Sequence, residues 1–159
     1  MDRIELILFK SLANLCGLLI LSMTLLIFSQ VFCRYVMNNS LTWSEELGRY
    51  IFVWITFVGL PVALKAKAHV ALDLLLKKTK GKFHLTILTI NTILTIFLSI
   101  VILFSGYRLI NVGIGQISSA LQIPMQYVYS IIPISGALLL LFSITCFFHE
   151  LKNIKKETK

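Results

Sequence analysis

The residues able to do chemistry in this 159-residue chain fall into two short clusters. Glu45 and Arg49 are spaced i, i+4, and Glu46 and Arg49 i, i+3, so carboxylate and guanidinium share one helical face. His69 and Asp73 form a second i, i+4 pair. Two ligands without a third do not make a metal site, so the expectation for His69 and Asp73 is an intrahelical hydrogen bond. Cys16, Cys33 and Cys146 are isolated in apolar surroundings with no C-x-x-C pair, which reads as small buried hydrophobes. There is no nucleophile–base pair and no phosphate-cradling glycine loop. No catalytic, cofactor-binding or metal-binding residue is therefore expected, and the chain does not read as an enzyme.

The elements that position these clusters follow from composition. Hydrophobic residues make up 57% of the chain and charged residues 14%, where a soluble domain has about 45–50% and about 25%. Lipid must solvate the excess. A span needs roughly 20 apolar residues, and four segments qualify, at about 11–37, 43–65, 84–108 and 127–149. The expected fold class is thus an all-α integral membrane protein, one membrane domain over residues 1–159. The N-terminus does not read as a cleavable signal peptide, because its apolar stretch is too long and no small-x-small site follows. In the first span Asn14, Ser22, Thr24, Ser29 and Gln30 are expected to face protein more than lipid. A polar turn, Asn38-Asn39-Ser40, follows.

The second span is the informative one. Tyr50 to Leu64 is charge-free but only about 22 Å long at helical rise. Extending it back to Trp43 puts that indole at the interface, where tryptophan is favoured, and draws Glu45, Glu46 and Arg49 into the first two turns. Thr42-Trp43-Ser44-Glu45 fits a capping box. Two readings of the charged cluster stay open: Glu45 caps the helix while Arg49 snorkels to the headgroups, or the cluster docks against another membrane subunit. Gly113, Gly115 and Pro124 break the long uncharged tract that follows the third span, and Pro133 should kink the fourth mildly.

The net charge of +8 invites a nucleic-acid reading, but the basic residues lie between apolar runs and not on an aromatic-lined stripe, so no nucleic-acid partner is expected. Twelve basic residues fall in the N-terminal segment, the 65–84 connector and the C-terminal tail, against Arg34, Arg49 and Arg108 in the other two connectors. This positive-inside bias places both termini in the cytoplasm. Within the 65–84 connector, residues 68–78 suit a short amphipathic helix on the inner membrane surface, in contact with lipid. His69, His84 and His149 then map to the cytoplasmic edge, which argues against axial haem ligands inside the bundle.

Two stretches resemble a known family. Trp43-Ser44-Glu45-Glu46-Leu47-Gly48-Arg49-Tyr50, with Val53-Trp54, Phe57-Val58-Gly59 and His69-Val70-Ala71-Leu72-Asp73, is similar to the signature of the small, DctQ-like membrane subunit of TRAP transporters. Ser119-Ala120-Leu121-Gln122-Ile123-Pro124, Tyr127 and Ile132-Pro133-Ile134-Ser135-Gly136 resemble that family's approach to the last helix. The resemblance implies a sodium-coupled, tripartite system in the bacterial inner membrane that takes up an organic acid of the sialic acid or C4-dicarboxylate type. It implies two partners, a large membrane subunit expected as a separate chain and a periplasmic substrate-binding protein. The small subunit braces the first and helps dock the second. Trp43, Glu45, Glu46, Arg49, Trp54, His69 and Asp73 become interface or structural candidates. The alternative is a free-standing four-helix membrane protein such as a small exporter or redox carrier. An exporter would be expected to carry a carboxylate in its first span, and a quinone-linked disulfide oxidoreductase paired extracytoplasmic cysteines. Neither is present in the sequence.

The charge bias makes a direct prediction. With Cys16, Cys33 and Cys146 replaced, cysteines introduced near Asn39 and near Ser118 should react with an impermeant thiol reagent on intact cells, and one near Lys80 should be protected. The reverse pattern would overturn the orientation.

Overall fold

The computed structural model describes residues 3–37, 41–66 and 82–157. The turn expected at 38–40 and the interfacial helix expected at 68–78, with His69 and Asp73, lie outside the described residues. Most of the rest is helical. α1 spans Arg3–Val36, α2 Thr42–Lys65, α3 Lys82–Gly113, α4 Met125–Tyr129 and α5 Ile131–Glu157. Four stretches, Glu5–Val36, Thr42–Lys65, Thr86–Gly113 and Met125–His149, are long and apolar enough to cross a membrane.

These helices form an open layer. α1 packs on α2, α2 on α5, and α5 on α3, while among the described residues α1 and α3 share no packed interface. None of α1 is buried among its described residues. Of the polar residues expected to face protein, Asn14, Thr24 and Ser29 are exposed within this chain, and Ser22 and Gln30 are half-buried. The Ser22, Thr24 and Ser29 hydroxyls instead donate to the carbonyls of Leu18, Ile20 and Leu25, at 2.8, 2.9 and 2.8 Å. Bonding to its own backbone satisfies each hydroxyl in lipid without a neighbouring helix.

The α3–α5 contact is the closest approach. Thr92, Ser99, Gly106 and Gly113, all buried, recur every seven residues along α3, the period of a left-handed helix seam. A Cβ on Gly106 would lie 2.6 Å from Pro133 Cδ, and one on Gly136 would lie 2.9 Å from the Leu103 nitrogen. Only glycine lets these backbones meet so closely, as is usual where helices associate in lipid. Pro133 does more than kink the fourth span. Helical structure stops at Ser130 and resumes at Ile131, because a proline at 133 has no N–H for the Tyr129 carbonyl.

Pro61 makes the same gap in α2, where it removes the N–H that would bond the Phe57 carbonyl. Ser135 of α5 fills it, its Oγ donating to the Phe57 oxygen at 2.5 Å. Ser135 and Pro61 are both fully buried, and Val58, Ile131 and Ile132 form a core beside them with Trp54 and Phe57 packed against it. One proline thus fixes the α2–α5 register. Ser135→Ala should destabilise the fold by about 0.5–1.7 kcal/mol, the range of interhelical hydrogen bonds in membranes. In a Pro61→Ala background, where residue 61 regains its N–H, the same change should cost almost nothing. Thermal unfolding of the four variants in detergent measures the cycle, and equal losses in both backgrounds would refute the pairing.

Candidate site: the Glu46 junction

At the head of α2 the helix begins at Thr42, with Leu41 as an extended N-cap residue (φ −83°, ψ 92°) that makes no side-chain cap. The capping box expected from Thr42 and Glu45 is therefore not formed. Thr42 already lies inside the helix, one position too late for its hydroxyl to cap. Ser44 instead donates from Oγ to the Leu41 carbonyl at 2.7 Å and is buried.

Glu45 and Arg49 are exposed, and neither takes part in an ion pair among the described residues. The carboxylate that matters is Glu46, 7% exposed. Its Oε2 accepts hydrogen bonds from the backbone N–H groups of Ala120 at 2.8 Å and Leu121 at 3.0 Å. Tyr50, one turn along α2, donates its hydroxyl to Glu46 Oε1 at 2.5 Å, and that hydroxyl also lies 3.3 Å from Met125 Sδ.

The segment thus captured is a small hairpin between α3 and α4. Ile117 and Pro124 pair as an isolated antiparallel bridge, with Ser118 N–H donating to the Ile123 carbonyl at 3.0 Å and Met125 N–H to that of Gln116 at 2.9 Å. Gly115 at φ +83° turns the chain out of α3, and Gln122 at φ 56° closes the tip. The buried Ser118 accepts the Ile123 N–H on its Oγ at 3.2 Å. The tip is left with successive N–H groups pointing one way, an anion-binding concavity, and Glu46 supplies the anion from within the chain. An uncharged connector was legible in the sequence; its hairpin was not.

Of the other candidates, Trp43 is exposed on the first turn of α2 and Trp54 is half-buried against the core. Trp54 also lines an open apolar groove of about 300 Å³ with Leu19, Tyr50 and Tyr127. At the opposite end of the layer is a cluster that sequence reasoning missed. Lys65 Nζ donates to Glu5 Oε1, which also accepts from Thr145 Oγ1 at 2.6 Å, and Lys65 lies 5.9 Å from the Phe142 ring centroid. Three helices, α1, α2 and α5, are joined there. Glu5 and Lys65 are 60 positions apart, so no local spacing signalled the pair.

The junction predicts a selective effect. Glu46→Ala should speed hydrogen exchange at the Ala120 and Leu121 amides by roughly ten- to a hundredfold, since two donors lose a charged acceptor. Glu45→Ala should leave both unchanged. Equal exchange in the two variants would show that Glu46 does not hold the hairpin.

The chemistry here is positional: a carboxylate orders a loop, and no reacting group is presented. Comparison with known proteins agrees. The family model for the DctQ component of tripartite ATP-independent periplasmic transporters matches residues 23–153. The chain is 29% identical over 99 residues to an isethionate TRAP transporter permease protein, DctMQ, of Oleidesulfovibrio alaskensis, covering 61% of this chain and 16% of that protein. It is 27% identical over 127 residues to the sialic acid TRAP transporter permease protein SiaT of Haemophilus influenzae, covering 78% of this chain and 20% of that one. With the sialic acid TRAP transporter small permease protein SiaQ of Vibrio cholerae it shares 28% identity over 112 residues, 64% of each chain. The match therefore spans a fifth or less of the two long permease proteins. Since the family model takes in Glu46, Tyr50 and the hairpin they hold, the chain belongs to the DctQ component family of tripartite ATP-independent periplasmic transporters, multi-pass proteins of the inner membrane that act in transport and not as enzymes.

Proposed function

We propose that this chain is the small permease subunit of a sodium-coupled TRAP transporter for an organic acid of the sialic acid or C4-dicarboxylate type. It braces a large membrane subunit carried on a separate chain, and its outer end helps dock a periplasmic substrate-binding protein. One observation carries this reading: the chain matches only 16% and 20% of two relatives whose names describe a permease protein. In those proteins most of the sequence lies outside the matched segment, which supports a larger permease portion working beside the part that this chain resembles. The open layer supports the same view. A single layer of helices encloses no path for a substrate, and large apolar side chains such as Leu21, Phe28, Phe97 and Phe104 stand exposed on α1 and α3. The Glu46-held hairpin is uncharged and presents Ile114 and Ile117, both more than 60% exposed, as a shaped surface at that end.

Reconstitution tests the proposal. Vesicles holding this chain and the large subunit should take up a sialic acid or a C4-dicarboxylate when binding protein and an inward sodium gradient are supplied. Vesicles holding this chain alone should take up neither. Sodium-driven uptake by the chain alone would overturn the accessory role.

A further inference from the structure

α2 carries a second feature, on the face turned away from the groove. Glu45, Arg49, Phe52 and Thr56 are all exposed, at spacings of four, three and four residues. Gly59 and Ala63, both partly exposed, continue the alternation. A 4-3 alternation is the period of a seam that receives another helix. At 100° per residue this seam lies opposite Leu47, Tyr50, Ile51 and Trp54, which line the groove.

The chemistry of the seam differs from that of the mid-span exposed face of α3. Exposed positions on α3 such as Ile93, Leu94, Phe97 and Val101 are large and apolar, as lipid contact requires. The α2 seam has a carboxylate, a guanidinium, a hydroxyl and a glycine. Arg49 lies seven residues inside the helix start, about 10 Å along its axis. Among the described residues it forms no ion pair: Glu46 is taken by the hairpin, Glu5 by Lys65, and Glu45 beside it is exposed and makes no ion pair either. A Cβ built on Gly59 meets no atom within 4 Å, so that glycine is not required by packing inside the chain.

We infer that the Glu45–Arg49–Phe52–Thr56–Gly59 face of α2 is where a transmembrane helix of the large permease subunit packs, with a carboxylate on that helix facing Arg49. This rests on the small-subunit reading above and names the face that reading leaves unassigned. Charge complementarity sets the partner's chemistry, since an arginine within a span calls for an acidic group. Thr56 and Gly59 let the partner backbone approach closely below it. A lipid phosphate drawn to Arg49 would leave the small residues without a role.

The test is co-purification in detergent with the tagged large subunit. Arg49→Glu and Gly59→Trp should each reduce recovery of this chain at least about tenfold. Phe104→Trp, on the exposed face of α3, should not. Reversing the facing carboxylate of the large subunit to arginine should restore the Arg49→Glu complex. As a check independent of stability, Thr56→Cys in a chain without Cys16, Cys33 and Cys146 should cross-link through a short bismaleimide to a cysteine introduced on the facing helix of the large subunit, each thiol adding to one maleimide. If the unmodified chain fails to co-purify, the small-subunit reading itself fails. If it co-purifies and both seam variants and the Thr56→Cys chain behave like Phe104→Trp, the seam faces lipid and the inference is wrong.

Discussion

Lipid offers no hydrogen bonds, so every backbone N–H and C=O of a span must find its partner inside the protein. The rest of this fold depends on that constraint. Where Pro61 deletes an N–H, the Phe57 carbonyl would stand alone in a buried position, and Ser135 reaches across from α5 to bond it. Where the chain leaves helix between α3 and α4, just outside the spans, Glu46 accepts the N–H groups of Ala120 and Leu121. Both of these irregularities are answered by a side chain from another element. Each answer joins two helices that lipid alone would not drive together.

The hydrophobic effect does little of this work, because lipid tails are as apolar as leucine. The α3–α5 contact relies on close approach instead, with Gly106 against Pro133 and Gly136 against Leu103. Polar ties then fix the two ends of the layer, Glu46 with the hairpin at one and Glu5 with Lys65 and Thr145 at the other. The outcome is a stiff, thin layer with wide faces left open.

The same constraint separates α1 from α2. α1 has no proline and no break within its span, its hydroxyls bond their own helix, and its polar tie to other helices comes from Glu5 near its start, with Lys65 and Thr145. α2 has Pro61, Glu46 and Tyr50, and each of them reaches to another element or to its own first turns. Polar content within a span therefore sorts the helices into one that lies at the edge and one that organises its neighbours.

The sequence by itself determined the class of protein and the number of spans, because long uncharged runs leave a chain no solvent but lipid. It also located the two stretches that matter, Trp43–Tyr50 and Ser119–Pro124, as separate signatures. Only the tertiary structure decided that they meet. Glu45, Glu46 and Arg49 looked like one cluster since helical spacing relates residues three and four apart. Burial split them, turning Glu46 inward to the hairpin and leaving Glu45 and Arg49 on the outer face. The capping box failed for a related reason: its pattern matches residue types, and the chain entered the helix one residue earlier than the pattern requires. Glu46 with Ala120, Phe57 with Ser135 and Glu5 with Lys65 are pairings across 74, 78 and 60 positions. Periodicity reads only the near neighbours along a helix. The distant partner of a buried carboxylate or an orphaned carbonyl is set by how the helices pack.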